Sequence, residues 1–191
     1  MIFCAFDTET TGIDDPNLVE LGAVLVEDHP DGPRERACVS LIVAPDGWTV
    51  PEAAARVHGI KNVTALACGV PLIVAISALT NLWARAAVRV AHNLEFDDKV
   101  VRGAIRRLGR ESAVTWPRGV CTKDLAAPIL NLPPTPRMIE TGFIKPKSPT
   151  LREAYRFFFN EDPPGHHSAL ADARACARIY LKILELKEIE A

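Results

Sequence analysis

This 191-residue chain has no Cys-x-x-Cys pair and no even framework of cysteines. Its five cysteines, Cys4, Cys38, Cys68, Cys121 and Cys176, are scattered, which argues against a zinc ribbon or a disulfide scaffold and fits a reduced, cytoplasmic setting. Uninterrupted apolar runs long enough to cross a bilayer are also missing. The longest, residues 69–91, is broken by Asn81, Arg85 and Arg89, so a soluble protein with no membrane partner is expected. Residues 1–6 are apolar, but too few for a signal h-region and without a basic n-region. There is no excess of basic charge: Lys and Arg number 22 against 24 Asp and Glu, a formal charge of −2. That balance argues against coating nucleic acid by bulk charge. It leaves room for an enzyme acting on nucleic acid, because acidic residues committed to divalent ions make a cleft locally neutral or positive. Internal repeats and low-complexity tracts are absent as well.

What is present suits one folded unit. With 48% hydrophobic residues, the length supports one substantial core, so residues 1–191 read as a single domain. Residues 2–6 read as a buried strand ending at Asp7, residues 18–27 as a second and residues 36–44 as a third, joined by short turns into an antiparallel meander. The pattern then becomes helical over residues 52–57, near 63–67, and from Pro71 to Arg85. A short apolar strand at 87–91 precedes a helix over 95–108, with Gly109 as its stop. Residues 120–122 read as an edge strand. Residues 128–149 hold Pro128, Pro133, Pro134, Pro136, Pro146 and Pro149 together with Arg137, Lys145 and Lys147, and read as an irregular, basic surface segment. Thr150-Leu151-Arg152-Glu153 is a capping-box pattern opening a helix through Phe159, and the last helix is expected over 169–187, with Leu181, Leu184 and Ile189 as core or a partner seam.

Three short motifs carry the chemistry. Asp7 and Glu9 stand in Phe6-Asp7-Thr8-Glu9-Thr10-Thr11-Gly12, Asp97 in His92-Asn93-Leu94-Glu95-Phe96-Asp97, and His167 with Asp172 in His167-Ser168-Ala169-Leu170-Ala171-Asp172. Residues two apart on a strand share a face, so Asp7 and Glu9 would point the same way and repel unless a cation lies between them. The Thr-Thr-Gly that follows offers hydroxyls and a flexible backbone to a phosphate or a terminal hydroxyl. Asp97 sits inside a helix start, where an acid also complements the macrodipole. His167 and Asp172, five residues apart, would not share a helical face; on a loop ahead of the helix, His167 can swing toward the carboxylates and take a proton from an attacking water. Hard cations such as Mg²⁺ and Mn²⁺ take oxygen ligands, and a pair about 3.5–4 Å apart serves in-line displacement at a phosphodiester. Taken singly, each motif also has an ordinary structural reading, as a turn acid, a helix-start acid or a surface histidine such as His29 or His166.

Their order, with Val57-His58-Gly59-Ile60 between the first and second, closely resembles the DEDDh (DnaQ-like) 3′→5′ exonucleases, the family of polymerase proofreading epsilon subunits and ribonuclease T. The resemblance runs from Ile2 to about Lys182. It implies a ribonuclease H-like α/β fold, a mixed five-stranded sheet flanked by helices. It implies two divalent cations, Mg²⁺ or Mn²⁺, with Asp7 bridging both, Glu9 and Asp172 completing one site and Asp97 serving the other, and His167 as general base. Thr8, Thr10, Val57, His58, Asn93 and Phe96 would meet the 3′ end and the terminal nucleotide. The sister class places a tyrosine base four residues before the last aspartate, where this chain has Ser168, so the histidine class is favoured. The expected activity is hydrolysis from the 3′ end of a single strand, DNA before RNA, releasing nucleoside 5′-monophosphates. Trimming of RNA ends is the nearer alternative, and a non-catalytic polymerase- or nucleic-acid-binding role the more distant one. Arg137, Lys145, Lys147, Arg152 and Arg156 are either a phosphate-contacting rim or a solvated surface. A polymerase partner is possible under this resemblance, although no tail resembling a polymerase-binding segment follows the last helix, which favours a stand-alone enzyme.

Overall fold

The computed structural model describes residues 1–165 and 167–189; the backbone of Glu188 and Ile189 is included but their side chains are not. His166 and the side chain of Ile189 therefore lie outside the described residues. Five strands form one sheet in the order β3-β2-β1-β4-β5. Strands β1 (Ile2–Thr10), β2 (Leu18–Glu27) and β3 (Arg34–Ile42) make the antiparallel meander. Strands β4 (Val88–Ala91) and β5 (Arg118–Cys121) run parallel to β1, each reached through helices. This is the mixed sheet with two crossover strands expected of the ribonuclease H-like fold.

The first strand is longer than its apolar run suggests. Pairing with β2 continues beyond Phe6 through Asp7 with Gly22 and Glu9 with Glu20, so the ladder carries the polar Asp7-Thr8-Glu9-Thr10 stretch as strand. β3 is displaced two residues toward the N-terminus from its expected span, and a register irregularity lies between Leu25 and Val26 on its partner.

Period-two alternation on β1 decides what each face meets. Cys4 and Phe6 pack with α3 (Leu72–Trp83) and α4 (Leu94–Arg107) through Leu79, Trp83, Val100, Ala104 and Ile105. Phe3 and Ala5 face α8 (Ala169–Ile189) through Ala173, Cys176, Ala177 and Tyr180. The Phe3 and Tyr180 rings meet edge to face with centroids 5.0 Å apart. Leu181 and Leu184 pack partly buried against this second cluster. Both faces of the central strands are thus covered, which is why β2 is buried along nearly its whole length.

Short helices α1 (Glu52–His58) and α2 (Asn62–Cys68) cap one end, and Gly59 ends α1 in the left-handed region at φ 77°. Residues 122–130, directly after β5, form α5 (Thr122–Leu130), a helix that Pro128 obscures in the sequence. Within the proline-rich stretch, Thr135 caps a short α6 (Pro136–Glu140). The segment expected to be irregular from 128 to 149 therefore begins in one helix and contains a turn of another. The capping box at Thr150 and Glu153 opens α7 (Leu151–Phe159) as its pattern indicates. Among the described residues no helix is long and apolar enough to cross a membrane.

At Gly22 the sheet and α8 approach backbone to backbone. A Cβ built there would lie 2.0 Å from the Ala169 carbonyl carbon and 2.1 Å from the Leu170 nitrogen, both backbone atoms at the start of α8. No rotamer change relieves a clash with backbone, so Gly22→Ala must lift the start of α8 off the sheet. We expect a loss of about 3 kcal/mol or more in a urea unfolding series. Gly103→Ala, whose Cβ would meet only a flexible Arg107 side-chain atom at 3.6 Å, serves as the tolerated control.

Candidate active site

Strands β1, β4 and β5 are mutually parallel, so their carboxyl ends open on one edge of the sheet, where α/β proteins commonly place their sites. Asp7 and Glu9 end β1; His92 and Asn93 follow β4; Thr122 and Lys123 follow β5. The alternation that turns Phe3 and Ala5 toward α8 also turns Asp7 and Glu9 that way. There the ligand-type atoms of Glu9, His167 and Asp172 all lie within 4.8 Å of one another. Asp7 lines a cleft of about 370 Å³ together with Asp172, His92, Asn93, Lys123 and residues 148–151.

Asp97 arrives from the opposite side, in the first turn of α4. It is 3% exposed, and its Oδ1 accepts from the Thr8 backbone N–H at 3.1 Å and from the Thr8 hydroxyl at 2.8 Å. Thr8, expected near the substrate, is itself buried with its hydroxyl committed to Asp97. The adjacent Asp98 pairs with the buried Arg89 at 2.6 Å, and the Arg89 guanidinium lies over the Trp116 and Trp83 rings, 5.1 and 5.8 Å from their centroids. This ion pair fixes the turn of α4 that carries Asp97.

His167 lies outside α8, in the loop before it, as the five-residue spacing requires. It is exposed, adopts a left-handed backbone at φ 72°, and donates its backbone N–H to Asp172 Oδ2 at 3.3 Å. Asp172 is anchored in the first turn of α8, its own N–H bonded to the Ser168 carbonyl at 2.9 Å. A left-handed conformation is uncommon for a residue with a side chain and costs energy that the surrounding contacts must hold.

The other expected substrate contacts are spread around the rim. The Thr10 hydroxyl donates to the Gly12 carbonyl at 2.8 Å. Val57 is 56% exposed, whereas His58 is buried: its Nδ1 accepts from the Ile60 N–H at 3.1 Å, and its Nε2 has no hydrogen-bond partner. Burial lowers the His58 pKa, opposed by the nearby Thr10 carbonyl. Asn93 occupies the left-handed position before α4 at φ 93°, and Phe96 packs partly buried against the core.

Three neighbours carried no assigned role in the sequence reading. Glu20, opposite Glu9 on β2, is 7% exposed and accepts from the Ala169 N–H at the start of α8 at 3.0 Å. It satisfies one of the orphan donors of that helix and holds the His167–Asp172 end over Glu9. Its signal in the sequence is an acid inside the otherwise apolar run Leu18-Val19-Glu20-Leu21-Gly22-Ala23-Val24. His92 bridges β4 to the loop before α7. Its Nε2 lies 3.1 Å from the Pro149 carbonyl, which can only accept, so that nitrogen carries the proton and Nδ1 accepts from the Thr122 hydroxyl at 2.9 Å. Burial pushes its pKa down to about 4, so it stays neutral. The third, Lys123, donates to Asn93 Oδ1 at 2.5 Å.

The carboxylates pay for this convergence in charge. Burial first, then Asp97, Asp172, Glu9 and Glu20, raise the Asp7 pKa well above the carboxylate range. Burial, with Asp172, Glu20 and Asp97, pushes Glu9 to about 8, and burial pushes Asp97 to about 7 against the Thr8 bonds that lower it. Acids held in this state call for a cation, and a donor set of carboxylate oxygens with one imidazole suits a hard divalent ion.

The profile of a protein family described as Exonuclease matches residues 4–180. The chain belongs to that exonuclease family. It is 27% identical over 190 residues to a DNA polymerase III of PolC type from Caldanaerobacter subterraneus subsp. tengcongensis, covering 98% of this chain and 12% of that protein. Over 188 residues it is 27% identical to a DNA polymerase III subunit epsilon-like protein of Rhodobacter capsulatus, covering 96% of this chain and 24% of that protein. The chain thus spans a quarter or less of the curated relatives it matches. Among solved structures, E. coli exonuclease I in complex with a dT13 oligonucleotide superposes with a TM-score of 0.74 at 17% identity, covering 96% of this chain and 40% of that one. The dA16 complex gives 0.75 at 18%, covering 99% and 42%. These likenesses establish the exonuclease fold of the ribonuclease H-like type.

The acids set a pH dependence whose sign follows from their raised values. Unfolded, they ionise near 4; folded and without a cation, Glu9 and Asp97 hold their protons to about 8 and 7. Stability is therefore fully present below the unfolded values and lost as pH rises through 4 to 8. A divalent cation removes that loss, so the rise in melting temperature on adding Mg²⁺ should be larger at pH 8 than at pH 5 by differential scanning fluorimetry. His92 acts on both melting curves alike and cancels in the difference.

Proposed function

We propose that the chain is a divalent-metal-dependent 3′→5′ exonuclease that shortens single-stranded nucleic acid, DNA by preference, and releases nucleoside 5′-monophosphates. The observation that carries this reading is the meeting of Glu9, His167 and Asp172 within 4.8 Å, on the side of β1 where Asp7 also points. Family membership supports the exonuclease chemistry. The single-strand preference draws on exonuclease I, whose structures hold dT13 and dA16 oligonucleotides; a divalent ion draws on that enzyme's zinc-bound complex with single-stranded DNA. The polymerase names of the two relatives favour a polymerase as partner.

In this reading Asp7, Glu9, Asp97 and Asp172 hold the ions. When bound, two such cations supply Lewis acidity at the phosphate and compensate the charge that builds on the attacking and leaving oxygens. His167 accepts the proton of the attacking water at a ring nitrogen and, being exposed, passes it to solvent. Thr8 fixes Asp97 in place through its N–H and hydroxyl. The buried His58 has Nδ1 occupied as an acceptor, so its neutral ring carries the proton on the buried Nε2, beside the Thr10 carbonyl, and supports that end of β1 from within. A terminal nucleotide would be bordered by the exposed Val57 and by Phe96.

Asp7→Ala is expected to lower cleavage of a 5′-labelled single strand in Mg²⁺ by at least about a thousandfold while the circular dichroism spectrum stays native; retained activity places the chemistry elsewhere. His167→Ala should lose kcat far more than metal affinity, and failure of that variant to bind Mn²⁺ in a calorimetric titration would contradict its role as base. Matched DNA and RNA oligonucleotides, assayed side by side, decide the sugar preference, with faster loss of the DNA expected.

A further inference from the structure

Among the described residues lining the cleft, Lys123 is a cationic side chain that the proposed chemistry does not use. Lys123 stands in the first turn of α5, immediately after β5, and is half-buried. It lines the same 370 Å³ cleft as Asp7 and Asp172, a volume within the range of small-ligand sites. A lysine placed only for solubility keeps its ammonium in water. This one is turned inward and held by Asn93 Oδ1 at 2.5 Å.

The holder is as telling as the lysine. Asn93 is a neutral acceptor, so it fixes the direction of the ammonium without cancelling its charge, and an ammonium has three donors, of which Asn93 takes one. Asn93 is itself fixed at a left-handed position between β4 and α4. The preceding His92 ties the same corner to Thr122 and to Pro149, the residue next to Lys123 and a lining residue of the cleft. The walls around the ammonium are therefore bonded to one another, and its position is defined before any ligand enters.

We propose that Lys123 contacts the phosphate at the scissile position and holds the 5′-phosphate of the nucleotide that is released, with Asn93 as the residue that aims it. The assignment rests on the exonuclease reading and adds a substrate contact to it. The four carboxylates of the ion site balance two divalent cations, Glu20 is turned to the Ala169 N–H at the start of α8, and hydrolysis of a phosphodiester leaves a phosphate monoester with one more negative charge than the diester had. Lys123 supplies a positive charge at that point of the cleft, where Asp7 and Asp172 also face. A base or a sugar, being neutral, makes no such demand on a cation, so the phosphate is the part of the ligand that this residue distinguishes.

The test compares thymidine 5′-monophosphate with thymidine, in Mg²⁺, as inhibitors of oligonucleotide cleavage by the wild-type chain and by Lys123→Met, which keeps the aliphatic stem and removes the charge. The monophosphate should weaken about tenfold or more in the variant, as loss of a charge-assisted hydrogen bond implies, with thymidine unchanged. Lys123→Arg should recover part of the difference. Equal weakening of both inhibitors would mean that Lys123 only shapes the pocket, and no change in either would mean that it does not reach the phosphate; each result overturns the assignment. If the wild-type chain releases no monophosphate from any strand, the exonuclease reading and this contact fall together. Wild-type release with an indifferent Lys123→Met variant removes this contact alone.

Discussion

Like charges do not gather unless a scaffold holds them, and the site depends on how firmly α8 is seated across β1 and β2. Asp172 and His167 come from the far end of the chain, and they meet Glu9 only because the start of α8 lies against the backbone of Gly22. Small residues at Ala169, Ala173, Cys176 and Ala177 let the helix axis approach the sheet. Glu20 then closes the contact with a hydrogen bond to the Ala169 N–H across 149 residues of sequence. A buried carboxylate beside Glu9 is electrostatically unfavourable, and it raises the Glu9 and Asp7 pKa values further. It persists because it satisfies a helix N-terminus that would otherwise be unpaired in a buried place.

Strand β1 divides its labour by parity. Asp7 and Glu9 follow Phe3 and Ala5 toward α8, while Thr8 follows Cys4 and Phe6 toward α4. The two faces therefore recruit different partners to one strand end. On one face the carboxylates themselves meet the α8 residues, and on the other a threonine clasps Asp97 through both its N–H and its hydroxyl. A shift of one residue in the pairing of β1 with β2 would exchange these roles and bury the acids among Trp83, Leu79 and Val100. The pairing of Glu9 with Glu20 and of Asp7 with Gly22 excludes it.

Much of this was legible in the sequence because it is local. The span of β2, the capping box at Thr150 and the loop position of His167 each follow from residues within one turn or one strand. The end of β1 was misjudged at Asp7 because polar residues stop an apolar pattern without stopping a ladder; only the partner strand decides that. α5 was hidden by Pro128, although its proline lies near the C-terminal end, where little of the helix remains to be disrupted. Glu20 and Lys123 stayed without a role for a different reason. Their meaning lies in contacts to Ala169 and Asn93, made 149 and 30 residues away, and neither belongs to a motif whose spacing announces it. What the fold adds to the motif residues is their convergence.

Proton traffic separates the histidines. A group that accepts a proton in each turnover has to return it to water, so it needs solvent as well as reach. His92 has both nitrogens bonded, to Thr122 and Pro149, and burial holds it neutral down to about 4. His58 is buried with Nδ1 occupied as an acceptor. His29 lies in the turn between β2 and β3, beside Asp31 and away from the cleft. Among the described residues, His167 alone combines exposure with ligand distance to Glu9 and Asp172. Its position outside the helix matters here, because a loop residue at a left-handed position faces the carboxylates from a direction that the register of α8 would not allow. The acids are fixed by strands and helix starts; the proposed base rides on the loop beside them.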